Sequence, residues 1–262
     1  MFLNYDFQDQ NRNLSGTSRA PAADNDDKIL RTHFAIFGAQ YFINYNWGLQ
    51  LEVPFASRYF RTRDDAGNIV DRNWNALGDI RINGVYTGFS DDLSTGVTFG
   101  LKLPTGDFKH DADVIDRDSQ IGTGSTDILL GGFHRQAFHF NHRFKWFAQA
   151  NLDVPVLEMD HYRPGVEVDA ASGIYYEGWS VGDLKISPVA QIIGSWRARD
   201  AGANSAHPVA SGYERVLLSP GIEFHWRSVS VYGDVALPVY ERVTGNQLVS
   251  SAMFKLIVSY HF

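Results

Sequence analysis

Charged and polar side chains recur at every second position in several segments whose intervening positions are apolar. In residues 143–156, Lys145, Gln149 and Asp153 share one face of an extended strand, and aromatic and aliphatic side chains occupy the other face. The polar face could bind a solute by ion pairing and hydrogen bonding, whereas the opposite face requires apolar surroundings. The spacing therefore predicts strands that are polar on one side and apolar on the other.

Eleven charged residues are the candidates for the polar side of these strands. Both signs are present, so these residues could contact a solute, or they could pair with one another as buried charges must. Mutual pairing is the simpler interpretation for any individual residue. Phe147 and Leu217 are expected beside the charges, and such a mixed lining suits small amphipathic or aromatic solutes. The eleven candidates are Glu52, Asp79, Arg81, Lys102, Lys145, Asp153, Lys185, Arg215, Glu223, Asp234 and Lys255.

Segment 106–118 is the most acidic part of the chain. Its five aspartates could supply the oxygen ligands that a hard cation such as Ca²⁺ prefers. Their spacing departs from the helical calcium-loop pattern, and Lys109 and Arg117 offset part of the charge. We therefore expect a solvated acidic loop, with calcium binding as the alternative, and we predict no cofactor.

The histidines do not form a recognisable catalytic pattern. A hydrolase of the serine and histidine type needs its hydroxyl, its imidazole and an orienting group in contact. None of the candidates has a serine partner in a familiar arrangement, so we predict no catalytic residue and no enzyme activity. These histidines are His33, His134, His139, His142 and His225. His110 and His161 lie beside aspartates, as in an extracellular protease, but such neighbours are common in loops.

The elements that would position these groups are clearest at the C-terminus. Residues 248–262 alternate without a break, and a strand of roughly 9 to 11 residues is long enough to cross a bilayer. Its apolar face ends in a terminal aromatic residue and resembles the C-terminal signal that the barrel-assembly machinery reads in Gram-negative outer-membrane β-barrels. The residues expected to form this signal are Phe254, Leu256, Val258, Tyr260 and Phe262.

Composition restricts how the strands can be placed. The chain has 262 residues, no cysteine and a formal net charge of −7 at pH 7. The lack of cysteine excludes disulfides and thiolate metal sites, and the negative charge argues against a nucleic-acid partner. The apolar runs fall far short of the roughly 18 residues of a spanning helix, so a membrane crossing requires closed strands.

The same two-residue period predicts twelve strands joined alternately by short turns and by longer polar loops. This alternation is typical of outer-membrane barrels with short periplasmic turns and long extracellular loops. The predicted fold is an all-β, transmembrane, antiparallel up-and-down β-barrel in one domain. A soluble β-sandwich is the alternative, but it does not require charges on its inner faces. The predicted strands are 2–8, 28–43, 47–59, 77–88, 93–104, 125–137, 143–156, 165–177, 184–197, 213–226, 228–240 and 248–262.

Proline and aromatic residues lie near the predicted strand ends. Because proline cannot donate to a strand ladder, Pro54, Pro104, Pro155 and Pro238 are expected at bulges or strand ends. Aromatic residues near both rims would form interfacial girdles. Those expected on the short-turn rim are Trp47, Trp146, Trp179 and Trp226, and those expected on the loop rim are Tyr59, Trp74, Trp196 and Tyr240.

Several short motifs resemble one bacterial family in their order along the chain. The family is named for the putative meta-pathway of phenol degradation and is described as transporter-like outer-membrane proteins. The resemblance extends from about residue 77 to the C-terminus and is looser before that point. The matching stretches are 77–79 (LGD), 100–107 (GLKLPTGD), 121–127 (IGTGSTD), 219–221 (SPG), 237–240 (LPVY) and the terminal Phe262.

The resemblance implies an uptake channel for aromatic or hydrophobic compounds and supplies no catalytic residues. Together with the polar inner faces, it predicts a narrow, passive channel for small organic solutes in the outer membrane of a Gram-negative bacterium. The expected partners are outer-membrane lipid, lipopolysaccharide, the barrel-assembly machinery and the solutes themselves. The alternative is a plugged structural or surface-binding barrel whose extracellular loops bind a partner.

Overall fold

A computed structural model describes residues 1–64, 66–205 and 210–262 of the chain. Fourteen β-strands in these residues form one antiparallel sheet, and two short 3-10 helices span Ala22–Asp24 and Arg117–Ser119. None of the described helices has the length and apolar character needed to cross a membrane. The strands are β1 (Phe2–Gly16), β2 (Ser18–Arg19), β3 (Ile29–Phe42), β4 (Trp47–Arg63), β5 (Ile69–Leu77), β6 (Ile80–Tyr86), β7 (Thr95–Leu103), β8 (Ser125–Phe138), β9 (Asn141–Glu158), β10 (Glu167–Tyr176), β11 (Trp179–Val181), β12 (Leu184–Arg197), β13 (Tyr213–Trp226) and β14 (Val229–Tyr260).

The sheet closes on itself. Strand β10 pairs with β9 on one side and with β12 on the other, and β1 pairs with both β3 and β14. Eleven strands of the described residues therefore form an up-and-down ring, and strands β2, β5 and β11 lie outside this ring. The predicted closed antiparallel barrel is confirmed.

Strand β14 crosses the wall twice. Its first part pairs with β13 and its last part pairs with β1, and Gly245 between them has φ of +69°. The N–H of His261 donates to the carbonyl of Ser228 at 2.8 Å, so both ends of β14 lie at the same rim. Ten strands of the ring cross once and β14 crosses twice, which agrees with the predicted twelve crossings.

The outer face of the barrel carries an apolar band. On β7 the alternate residues Val97, Phe99 and Leu101 are exposed, and on β8 Ile128 and Leu130 are exposed in the same way. The described strands continue this pattern around the ring. Soluble monomers rarely expose a contiguous apolar surface of this kind, so this face suits apolar surroundings such as the hydrocarbon of a membrane.

Three predicted loops are partly strand. Strand β1 continues to Gly16, β4 and β5 form a ladder through 60–63 and 69–76, and β14 continues through 241–247. Backbone hydrogen bonds can extend a ladder into water with polar side chains on both faces, so these segments lack the apolar alternation that marks the membrane-spanning part. The predicted loop 198–212 includes residues 206–209, which lie outside the described residues, as does Asp65 of the predicted loop 60–76.

The final strand does not alternate without a break. Gln8 pairs with Met253 and Gln10 with Ser250, so β14 has one residue more than β1 between these pairs. This β-bulge turns Ser250 inward, and a second register shift, between Gln10 and Arg12 of β1, leaves Val249 buried as well, although the two residues were predicted on opposite faces. Beyond the bulge the predicted alternation holds, and the outward side chains are Phe254, Leu256, Val258 and Tyr260.

The proline prediction is confirmed. Pro155 and Pro238 lie directly beside register shifts of the β8–β9 and β13–β14 ladders, and Pro104 follows the last residue of β7. Pro54 lies where β4 changes partner from β6 to β5, and its carbonyl accepts the N–H of Gly78 at 2.9 Å. The missing proline donors therefore interrupt no regular ladder.

Candidate functional site

Alternation places the candidate polar groups inside the barrel. The sequences of β3 and β8 fit either of two registers, and the structure shows which positions face the lumen. Thr32 of β3 and Asp127 of β8 are buried inside, whereas Phe37 and Ile128 are exposed outside. Even-numbered positions of β3 and odd-numbered positions of β8 therefore face the lumen.

The larger cavity in the lumen has a volume of about 880 Å³. Five of the eleven candidate residues line it, with four further charged residues. Arg135 was not among the candidates because the register of β8 was ambiguous, and Glu177 was not among them although it ends the predicted strand 165–177. Phe147, Tyr175 and Leu217 add apolar surface to the mixed lining. The charged lining residues are Lys185, Arg215, Glu223, Asp234 and Lys255 from the candidates, with Asp6, Arg135, Asp169 and Glu177.

A second group of candidates pairs with itself instead of lining this cavity. Lys102 is buried against Asp127 in an ion pair, and its Nζ lies 3.8 Å from an Asp153 carboxylate oxygen. Arg81 reaches the same carboxylate at 3.9 Å. This cluster fills the side of the lumen formed by β6 to β9, which matches the mutual pairing expected of buried charges.

Two more candidates have close polar partners on the inner wall. Lys145 forms an ion pair with Glu177 at 2.6 Å, near the short-turn rim. The amide of Gln50 donates to Glu52 at 2.7 Å. Neither Lys145 nor Glu52 lines the two cavities described in the lumen.

The remaining candidate, Asp79, is a structural anchor. Its Oδ1 accepts the N–H of Gly106 at 2.9 Å, and its Oδ2 accepts the N–H of Thr123 at 2.8 Å and the Thr123 hydroxyl at 2.7 Å. Gly106 and Gly122 touch so closely that a Cβ on Gly106 would lie 2.7 Å from Cα of Gly122. Asp79 thus closes the neck of segment 105–124, and its expected place in the water-accessible lining is not observed.

Segment 105–124 folds into the mouth of the barrel. Ile115 is only 2% exposed and packs with Ile121 against Ala56, Phe60 and Trp74 of the inner wall. The expected solvated loop is therefore wrong for the apolar half of the segment, although several of its aspartates face water. The burial of Ile115 and Ile121 provides the free energy that holds the segment inside.

Trp74 is consequently not part of the outer aromatic girdle. It is 5% exposed, because it pairs with the inward-facing Arg58 in the β4–β5 ladder, and its ring stacks on His110 at 5.1 Å. Arg58 fixes the segment further, since its Nη1 donates to the carbonyl of Ser119 at 2.6 Å. Other predicted girdle residues do face outward, namely Trp47, Trp179, Trp196, Trp226 and Tyr240.

A smaller cavity of about 470 Å³ lies beside this segment at the loop end of the barrel. Its lining is acidic, with seven carboxylates and three arginines. Most of the carboxylates come from the first loop and from segment 105–124. The charged residues are Asp24, Asp26, Asp27, Asp116, Asp118, Glu214 and Glu241, with Arg58, Arg197 and Arg215.

The loop carboxyls Asp27 and Asp118 bind protons more tightly than usual. Burial raises the pKa of Asp27 to about 6, and the charge of Asp116 acts in the same direction against the hydrogen bond from Thr62. The protein around Asp118 removes part of the water that would solvate its charged form, and this desolvation raises the pKa of Asp118 to about 7. The negative charges of Asp116 and Asp27 raise it further. Asp118 itself remains in contact with the water of the cavity. The charge of the mouth therefore changes between pH 5 and 8.

The two cavities meet at three residues, Gln8, Arg215 and Met253, which line both. The guanidinium of Arg215 lies 4.7 Å from the ring centroid of Tyr213, and its Nη1 contacts the Met253 sulfur at 3.9 Å. This junction lies between an acidic mouth and a mixed lower lumen. A solute moving along the barrel axis would pass Arg215.

The described residues contain no group of three or more histidine, aspartate or glutamate side chains placed to hold a metal ion. The acidic segment fits this result. Its aspartates take separate partners, since Asp111 pairs with Arg72 and Asp107 lies 3.5 Å from the His110 ring. The prediction of calcium binding as an alternative gains no support from this geometry.

Comparison with known proteins identifies the fold. No protein-family model and no curated protein sequence matches the chain. The chain is similar to the crystal structure of an outer membrane channel from Pseudomonas putida F1, with a TM-score of 0.72 and 11% identity over 100% of this chain and 94% of that one. It is also similar to the transport unit of the autotransporter AIDA-I from Escherichia coli, with a TM-score of 0.51 and 11% identity over 100% and 89% of the two chains. The chain has the fold of the outer-membrane β-barrels.

At these identities the likeness establishes the fold alone. The NanC porin aligns over 99% of this chain and 100% of its own at 9% identity, but its TM-score of 0.47 is too low to add to the conclusion. The resemblance to the meta-pathway family is not confirmed by these comparisons.

Proposed function

We propose that this protein is a passive channel in the outer membrane of a Gram-negative bacterium and that it admits small organic solutes. The observation that carries the proposal is the pair of adjoining cavities, about 470 Å³ at the mouth and about 880 Å³ below it. Both are lined by polar and charged groups that water can solvate. No catalytic role is assigned to any residue, and the proposed activity is not enzymatic.

The apolar outer band supports the membrane location. A closed ring leaves no unpaired strand edge in lipid, and every wall strand hydrogen-bonds to two neighbours. The outward aromatic residues Trp47, Trp179 and Trp226 near the short turns suit the interface between lipid and water. These features agree with the fold shared with the Pseudomonas putida F1 outer membrane channel.

The lining supports a small solute with an apolar body. Phe147, Tyr175, Val189, Ile193 and Leu217 alternate with charged groups around the larger cavity. Aromatic and aliphatic surface of this kind favours aromatic or hydrophobic compounds with a polar substituent. The motif resemblance to the meta-pathway family supports the same solute class.

A plugged or surface-binding barrel is the second candidate, and segment 105–124 is the observation that favours it. The segment fills part of the mouth and narrows the path, because Ile115 and Ile121 pack against the wall. Replacing residues 108–119 with a short flexible linker separates the two functions. A channel should conduct more after the replacement, whereas a barrel that binds a partner through this segment should lose that partner.

Planar-bilayer recording and liposome swelling with purified protein test the channel proposal. Stable ion conductance and entry of small aromatic solutes into liposomes are expected. Liposomes with heat-unfolded protein are the control for leakage. Folded protein that passes neither ions nor small aromatics would contradict the proposal.

A further inference from the structure

Arg215 has hydrogen-bonding capacity that the protein does not use. Its Nε is buried without a hydrogen-bond partner, and its Nη1 donates only weakly, to the thioether of Met253. Within the part of the chain that the structure describes, Arg215 forms no ion pair. An arginine in this state costs free energy unless a further acceptor reaches it.

The neighbouring carboxylates already have other donors. Glu241 lies opposite Arg215 in the β13–β14 ladder but pairs with Arg12 at 3.7 Å. Asp169, two strands away, accepts the hydroxyl of Ser195 at 2.5 Å, and Glu167 accepts the hydroxyl of Tyr213 at 2.7 Å. The protein thus surrounds Arg215 with acids while leaving its guanidinium available.

The position of Arg215 is suited to binding a solute inside the lumen. It lines both cavities, so a solute that moves between them passes its guanidinium. The ring of Tyr213, 4.7 Å away, restricts the orientation of the guanidinium plane. Leu217 is buried on the same inner face of β13, and with Met253 it offers an apolar surface beside the charge.

We propose that Arg215 is a carboxylate-binding residue at the junction of the two cavities and that the preferred solutes are small monocarboxylates with an aromatic or apolar body. The proposal rests on the proposed channel function and names its solute class. A guanidinium binds a carboxylate through two parallel hydrogen bonds, which supplies the missing acceptor. The acidic surroundings disfavour anions with several charges, so a single carboxylate is the expected group.

Direct binding tests the proposal without relying on conductance. Sodium benzoate and its neutral analogue benzyl alcohol are titrated into detergent-solubilised protein by calorimetry and by saturation-transfer NMR. Benzoate is expected to bind more tightly than benzyl alcohol. Arg215→Gln should weaken benzoate binding by about tenfold, the loss expected for charge-assisted hydrogen bonds, and should leave benzyl alcohol binding unchanged.

Two further variants control the result. Arg215→Lys keeps the charge without the planar pair of donors, so its affinity for benzoate should lie between those of the wild type and Arg215→Gln. Arg135→Gln removes a cation from the larger cavity away from the junction and should change benzoate affinity by less than about twofold. The shift in gel mobility on heating shows that each variant is folded.

The outcomes separate this proposal from the channel proposal. Benzoate binding that depends on Arg215 in a protein without conductance would leave the site standing and overturn the channel. Conductance in a protein that binds benzoate no better than benzyl alcohol, or that loses benzoate equally with Arg135→Gln, would overturn the carboxylate site alone. A wild-type protein that does not bind benzoate also overturns it.

Discussion

The carboxylate of Asp79 holds Thr123 through two hydrogen bonds, one from the Thr123 N–H at 2.8 Å and one from its hydroxyl at 2.7 Å. The same carboxylate accepts the N–H of Gly106 at 2.9 Å, so one side chain joins both ends of segment 105–124. The short motifs 77–79, 100–107 and 121–127, which are separate in the sequence, meet at this point. Their shared role is to fold a loop into the barrel mouth.

Asp79→Ala should release this segment. The substitution removes a buried acceptor and leaves the N–H groups of Gly106 and Thr123 unpaired, so the free energy of opening the segment should fall by about 3 kcal/mol. Faster protease cleavage within 107–120 and a larger single-channel conductance are expected. Asp71→Ala is the matched control, because Asp71 pairs with Arg61 on the exposed outer surface. Equal cleavage and equal conductance in both variants would contradict the anchoring role.

The charge of the mouth should make ion selectivity depend on pH. Asp27 and Asp118, with pKa values of about 6 and about 7, are neutral at pH 5 and negative at pH 8. The preference for cations over anions should therefore increase from pH 5 to pH 8. Reversal potentials in a KCl gradient measure this preference. The double variant Asp27→Asn and Asp118→Asn should show a smaller change, and an unchanged dependence in that variant would exclude these two groups as its source.

The same two carboxyls should make the folded protein less stable as pH rises. Their pKa values are raised in the folded protein above the ordinary value of about 3.9, so the folded state binds more protons than the unfolded state. Their contribution is fully present below about pH 4 and is lost as pH rises through 6 to 7. Amide hydrogen exchange at 115–121 should be better protected at pH 5 than at pH 8, after correction for the intrinsic exchange rate. Greater protection at pH 8 would contradict the assignment.

Lys102→Met should destabilise the barrel strongly. It leaves the carboxylate of Asp127 buried without its cation, a loss of about 3 to 5 kcal/mol. Adding Asp127→Leu should recover most of this loss, because the buried charge is then removed. Lys145→Met is the control, since its pair with Glu177 is partly exposed and should contribute less than about 1 kcal/mol. Urea unfolding in detergent measures all four proteins, and equal losses for Lys102→Met and Lys145→Met would be inconsistent with a buried pair.

Leu130→Arg should weaken insertion into lipid. Leu130 is exposed on the outer face of β8, and an arginine near the middle of a bilayer costs about 2 to 4 kcal/mol in a barrel. Gln149→Arg, on the cavity side of β9, should have a much smaller effect. Folding yield into liposomes compares the two. A larger defect in Gln149→Arg would mean that the faces are assigned the wrong way round.

Side-chain alternation was sufficient to predict the barrel, its crossings and the inner faces of most strands. It could not predict the β-bulge near Ser250, because Ser251 and Ala252 fit either face. It also could not place Ile115 and Ile121, since two apolar residues in an acidic loop show no period. Their burial depends on Phe60 and the rest of the inner wall, which the chain brings together only after the ring has closed.

The candidate site divides in the same way. Alternation along 213–226 was enough to predict that Arg215 faces the lumen. The sequence could not show that its donors stay unused, because this depends on which residues the neighbouring carboxylates pair with. Glu241 pairs with Arg12 because of the register between β1 and β14. Asp169 accepts the hydroxyl of Ser195 because of the register between β10 and β12. Asp79 was wrongly predicted in the lining because its hydrogen-bond partners could not be recognised in the sequence. Its hydrogen-bond partners come from a loop whose inward path had no local signature.

Spin labels on adjacent residues of the last strand test most directly which face of the wall meets lipid. The chain has no cysteine, so single cysteines at Leu256 and Ile257 can each carry one label. In liposomes, the label at 256 should be relaxed mainly by oxygen, which concentrates in lipid, and the label at 257 mainly by a water-soluble nickel chelate. Greater access of the chelate to 256 than to 257 would contradict a barrel with an apolar exterior and a water-filled lumen.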